Sequence, residues 1–135
     1  MADLNVLMVV DTKNIAQKVV NGEYVGNLDK TVFLMDDNGD PEGSDDFTIT
    51  CNPDDLVQFR ITAVDQTTGI QFAVFSWVES QEVNNFVKLP SLENGWCSET
   101  QKGTIETEDF LIYFTIEGKN QIFRLDPQIQ IKSGG

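Results

Sequence analysis

The sequence predicts an all-β domain built from two packed antiparallel sheets, and three observations lead there. Apolar and polar residues alternate with a period of two in several short runs, most clearly Val57, Phe59, Ile61 and Ala63 against Gln58, Arg60 and Thr62. That period places the two sets on opposite faces of a strand. Asn-Gly, Asp-Pro and glycine-containing breaks separate the runs at short intervals, the chemistry of turns between antiparallel neighbours. No strand-helix-strand rhythm is present, and only one short stretch has a helical pattern. Together these features describe a two-sheet antiparallel β-sandwich of jelly-roll or Greek-key type with one short N-terminal helix. At 135 residues it reads as a single domain, residues 1–135, able to bury roughly two-thirds of its unfolded surface.

Residues 4–10, Leu-Asn-Val-Leu-Met-Val-Val, are almost continuously apolar and read as a central strand. Asp11 or Thr12 is placed to cap a helix of about two turns through Lys18, with Ile15, Ala16 and Val19 as its apolar side. Asn21-Gly22 and Gly26-Asn27 break the chain before a strand at 31–35. Phe47-Thr48-Ile49-Thr50-Cys51 alternates as the next strand. Residues 54–78 form the expected centre: an alternating strand, a polar break at 65–69, and a run at 70–78 rich in aromatic and branched residues. The expectation is an antiparallel pair. Phe86 to Leu89 reads as a further short strand, and residues 91–102 as a long loop. Phe110, Ile112, Phe114 and Ile116 then alternate, Glu117-Gly118-Lys119-Asn120 makes a hairpin turn, and strands at 121–125 and 128–132 follow. The core candidates are Val57, Phe59, Ile61, Phe72, Val74, Phe110, Ile112 and Phe114, with Ile49 and Cys51 beside them.

Composition narrows function mainly by exclusion. The net charge is −13, from 22 acidic and 9 basic residues, so polyanions would be repelled and neither nucleic acid nor a membrane is expected as a partner. A charge this far from zero also favours solubility at high concentration. No apolar run reaches the roughly 18 residues of a membrane helix, and the acidic N-terminus lacks the basic start of a secretory signal. Cytoplasmic residence follows as an expectation. Two cysteines, Cys51 and Cys97, are then expected to be reduced thiols, although one disulfide between them stays open. Histidine is absent, which removes the commonest general base near neutral pH and the usual ligand of zinc, copper or non-haem iron. No catalytic residue is assigned.

Two places still suggest binding. In the acidic loop at residues 36–46, Asp36, Asn38, Asp40 and Glu42 offer oxygens at alternating positions, the donor type that calcium takes. Calcium is the candidate ion, but Pro41 and Phe47 stand where an EF-hand needs glycine and a bidentate glutamate. A solvated acidic turn that keeps strand edges apart is the plainer alternative. Trp96, beside Asn94 in a polar loop, is a candidate sugar platform, whereas Trp77 lies within an apolar run and reads as core. Glu106-Thr107-Glu108-Asp109 reads as the solvated start of a strand. A two-carboxylate glycosidase would need a raised-pKa acid opposite a partner, and nothing in the sequence places one.

Both ends of the chain carry a resemblance. Val6-Leu7-Met8-Val9-Val10-Asp11-Thr12 resembles the opening of the bacterial PixA/AidA inclusion-body proteins, and Leu125-Asp126-Pro127-Gln128-Ile129-Gln130-Ile131 resembles their closing strand. Val32 to Asp37, and Phe47-Thr48-Ile49 running into Val57-Gln58-Phe59-Arg60, fall in the family's order, so the resemblance covers nearly the whole chain. Leu125 and Gln128 stand where the family favours aromatics, Pro53-Asp54-Asp55 replaces a Gly-Asp turn, and Phe59 replaces a common Trp. With 3 methionines the chain does not share the methionine-rich composition of the inclusion-body member. The resemblance implies intracellular inclusions and a quorum-regulated bacterial setting, with no agreed activity and no catalytic motif. The expectation that follows is a non-enzymatic, self-associating protein, most simply a dimer, with the runs at 70–78 and 128–132 as association surfaces. A calcium-dependent carbohydrate-binding module is the alternative.

Overall fold

A computed structural model describes residues 3–52, 55–77, 97–99 and 107–131. The chain is mostly strand: β1 (Asp3–Val10), β2 (Gln17–Val20), β3 (Glu23–Gly26), a single helical turn α1 (Leu28–Thr31), β4 (Val32–Asp36), β5 (Thr48–Cys51), β6 (Leu56–Ala63), β7 (Ile70–Trp77), β8 (Cys97–Glu99), β9 (Thr107–Ile116), β10 (Ile122–Leu125) and β11 (Gln128–Ile131). One sheet runs β4-β1-β6-β8. In the second, β9 is central, with β7 on one flank and β10 and then β11 along the other, and β5 beyond β11. β2 and β3 form a separate two-stranded sheet.

The strand parity agrees with the sequence almost everywhere. Leu4, Val6, Met8 and Val10 of β1 are buried, as are Val57, Phe59 and Ala63 of β6 and Phe110, Ile112, Phe114 and Ile116 of β9. Rings from the two sheets meet in one core: Phe59 of β6 packs edge-on against Phe75 of β7 at 4.8 Å and against Phe110 of β9 at 6.1 Å. Phe114 stacks on Phe123 of β10 at 5.4 Å. Such edge and offset-stacked geometries suit the aromatic quadrupole. Ile49 and Cys51 are buried beside them, and Ile61 is partly buried against the same core.

Several expectations need correction. The central pair does not form: β6 lies between β1 and β8, whereas β7 pairs with β9 in the other sheet. Residues 64–69 carry the chain across the core instead of folding it back. Asp65 holds this crossing by accepting the Thr67 and Thr68 N–H groups at 3.1 Å and the Thr68 hydroxyl at 2.8 Å. Nor are the sheets wholly antiparallel, since β1–β6 and β5–β11 are parallel ladders.

The helix sits elsewhere. Asp11 caps a turn, with its carboxylate accepting the Lys13 and Asn14 N–H groups at 3.3 Å, but the turn does not propagate. Helix nucleation is costly and two turns repay little of it, so Gln17 starts β2 and Val19 ends up 57% exposed. Asn21 and Gly22, with φ of 52° and 80°, supply the paired positive φ of a tight hairpin turn. Asn-Gly was therefore a hairpin signal and not merely a break.

Val74, expected in the core, is 49% exposed. A bulge between Phe72 and Val74 inserts a residue and shifts the alternation, so Phe72 and Phe75 both face inward. The stretch 97–99, read as loop, pairs with β6 as β8.

Candidate functional site

The acidic loop leaves β4 at Asp36 and is closed by a bridge in which Leu34 and Gly43 exchange backbone hydrogen bonds of 2.6 and 3.1 Å. Its first half folds onto β5. Asp36 Oδ1 accepts the N–H groups of Asn38 and Asp40 at 3.0 and 3.2 Å. Asp40 Oδ2 accepts the Thr50 N–H at 2.8 Å, and the Asn38 amide donates to the Thr50 carbonyl. The Asp40 carboxylate and the Asn38 amide thus pair with the edge of β5 as a neighbouring strand would. Asp37 turns the other way and accepts the Asn5 backbone and side-chain amides at 3.0 and 2.8 Å. Those two bonds hold the Asp37 carboxyl below its ordinary pKa.

Of the predicted calcium donors, the fold brings Asp36, Asn38 and Asp40 together and separates Glu42. That residue is exposed and lines a different cleft, of about 520 Å³, with Asp29, Phe33 and Asp46. Among the described residues no group of three or more carboxylates or thiols is arranged to hold a metal ion. The Asp36–Asp40 pair has chemistry of its own. Asp36 Oδ2 is buried and, among the described residues, has no hydrogen-bond donor. Burial, followed by the hydrogen bond shared with the Asp40 carboxyl, pushes the Asp36 pKa up to about 6. A proton held between the two carboxyls supplies the donor that Oδ2 lacks. Trp96 and Asn94, the predicted sugar platform, lie outside the described residues, as do Glu106 and the expected strand at 86–89. Glu108, read as solvated, is buried at 2% exposure.

The second half of the loop contributes to a site that sequence reasoning missed. Ser44 donates its hydroxyl to the Leu28 carbonyl at 2.8 Å, and Asp45 Oδ1 accepts the Asp126 N–H at 2.8 Å. Asp126 sits at the corner between β10 and β11, beside a cavity of about 210 Å³ that also touches Asp109 and Arg124. The Arg124 guanidinium lies 3.9 Å over the Tyr24 ring, a cation–π contact. Burial, then the Asp109 and Asp45 charges, push the Asp126 carboxyl up to about 6 against the pull of Arg124. Gln17, from β2, closes this corner: its amide donates to the Arg124 carbonyl at 2.8 Å and accepts the Arg124 N–H at 2.9 Å. One side chain thereby satisfies both edge groups of a β10 residue. The Asp-Pro dipeptide flagged the corner in the sequence, but nothing local to Gln17 or Asp45 pointed to it.

The described residues define a β-rich fold of two main sheets packed on one aromatic core, with a small hairpin sheet beside them. A crystal structure of the inclusion body protein PixA from Burkholderia cenocepacia J2315 superposes with a TM-score of 0.70 over 97% of this chain and 95% of that one, at 13% identity. The resemblance seen at the two ends of the sequence therefore holds for the fold along nearly its whole length. A family model described as a domain of unknown function, DUF8788, matches residues 2–122, and the chain belongs to that family. No curated protein matches it by sequence.

Proposed function

We propose that this is a non-enzymatic interaction protein of the PixA inclusion-body type that associates with itself, most simply as a two-fold dimer, in the cytoplasm or in inclusions there. One observation carries the reading: two exposed apolar side chains share a groove on a chain of net charge −13. Val19 at 57% and Ile122 at 55% exposure line a groove of about 300 Å³ with Lys18, Tyr24 and Gln121. Val20 and Val25, also exposed, fall on the other face of the same hairpin by strand alternation. The two runs expected to mediate association are largely spent on the core, since Phe72, Phe75 and Ile129 are all buried. The likeness to an inclusion body protein supports the reading at the level of fold. Neither nucleic acid nor an anionic membrane suits a net charge of −13.

Light scattering and sedimentation across a concentration series test it. The wild type should form dimers, and Val19→Lys with Ile122→Lys should weaken them by tenfold or more without changing the melting temperature at concentrations where the wild type is itself monomeric. A monomer at every concentration would overturn the association, and turnover of a glycoside library would overturn the non-enzymatic reading.

A second reading keeps calcium at the loop. The unpartnered, buried Asp36 Oδ2 beside the Asp40 carboxyl favours it, because a cation can fill that position as a proton does. Calcium would then raise the melting temperature by mass action, and Asp40→Asn would reduce the response whereas Asp109→Asn would not. Glycan binding lost on chelation would extend this reading to a carbohydrate partner. An unchanged melting temperature in millimolar calcium leaves the loop as an acidic turn.

A further inference from the structure

The corner at Asp126 gathers charged side chains from three elements, the acidic loop, β9 and β10. Asp45 faces it from the acidic loop, Asp109 from β9 and Arg124 from β10, while Tyr24 of β3 stacks on the guanidinium. Gln17 and Gln128 complete the wall and carry no charge. With all three carboxyls ionised, one cation stands against three anions around a cavity of about 210 Å³. Asp126 Oδ1 is fully covered and, among the described residues, has no hydrogen-bond donor. An ionised Asp126 would leave that acceptor both desolvated and set against like charge. A protonated Asp126 removes one of the three charges and turns a carboxylate oxygen into a donor toward its neighbours.

The backbone gives this chemistry a mechanical consequence. The Asp126 N–H is the group that Asp45 Oδ1 grips at 2.8 Å, and that grip ties the end of the acidic loop to the second sheet. We propose that Asp126, set against Asp45 and Asp109, forms a proton-operated latch, which holds the loop against the β10–β11 corner while the Asp126 carboxyl carries a proton and slackens when that proton is lost. The rest of the loop stays anchored by Asp40 and Asn38 on Thr50, by Ser44 on Leu28, and by the Gln128 N–H on the Phe47 carbonyl at 2.8 Å. The change is therefore local and leaves the domain folded. Because the Asp126 pKa is raised on folding, to about 6 from 3.8, the proton's contribution is complete below 3.8 and lost as the pH rises through 6.

Amide hydrogen exchange of Asp126, corrected for the intrinsic effect of pH, reads the latch directly. Protection in the wild type should fall by roughly tenfold or more between pH 5 and 7.5. Asp126→Asn, neutral throughout, should hold the high protection flat, and Asp36→Asn at the other end of the loop should retain the fall. A carbon-13 titration of the wild-type Asp126 carboxyl gives a second readout that needs no variant, with a midpoint expected well above that of the exposed Asp65. An ordinary midpoint near 4, wild-type protection independent of pH, or the same fall in Asp126→Asn would each overturn the proposal.

Discussion

Replacing Asp36 with asparagine should stabilise the protein at pH 8 and leave it nearly unchanged at pH 4. In the native state Asp36 Oδ1 already has two backbone donors, from Asn38 and Asp40, whereas Oδ2 has none among the described residues. An asparagine keeps an oxygen for those two donors and puts an N–H₂ where Oδ2 faces the Asp40 carboxylate. It therefore imitates the protonated acid at every pH. The carboxyl is raised from 3.8 to about 6 by burial and by Asp40, so folding takes up a proton between those values. Stability then falls as pH rises through that window. The full shift corresponds to about 3 kcal/mol. Asp36 is only partly screened from water, and solvent reduces the net effect to about 1 kcal/mol. For a chain of this size that is a rise of roughly 2–5 °C in melting temperature. Urea unfolding of the wild type and Asp36→Asn at half-unit steps from pH 4 to 8 measures it, and the difference between the two curves isolates Asp36 from Asp126. Parallel curves, or a variant less stable than the wild type at pH 8, would refute the shared-proton account.

Other outcomes follow from packing and backbone geometry. Gln17→Ala removes both hydrogen bonds to Arg124 and should cost about 1–2 kcal/mol in urea unfolding; the uncovered β10 edge should also raise light scattering on storage. Phe59→Ala empties the centre of the aromatic cluster and should cost about 3–5 kcal/mol, a large fraction of the stability of a domain this size. Gly22→Ala meets no atom within 4 Å, so its penalty comes from a φ of +80° alone, about 1–2 kcal/mol, read as a lower denaturation midpoint with an unchanged slope. Asp11 and Asp65 are held below their ordinary pKa by turn hydrogen bonds. Their contribution is present at neutral pH and lost as pH falls through their native pKa values, opposite in sign to Asp36, and their carboxyl titrations should have midpoints below 3.8.

The sequence by itself determined which way most side chains point. Inward parity in β6 and β9 is a local property of the pleat, so Phe59 and Phe114 were legible without knowing any partner strand. The turn at Glu117-Gly118 and the acidic loop were legible for the same reason, because each depends on residues next to one another. Tertiary structure alone decided which strands pair. Val57, Phe59 and Phe72 bury the same faces whether β6 and β7 form a hairpin or stand in opposite sheets, so the pattern could not distinguish the two. The bulge that exposes Val74 is a compromise with β9, and the alternation within β7 does not encode it. The sites were hidden more deeply. Gln17 meets Arg124 across 107 positions and Asp45 meets Asp126 across 81. A carboxyl's proton affinity is set by the charges and the burial that such distant neighbours bring. Sequence supplied the acids; only the fold decided which of them would be buried beside another.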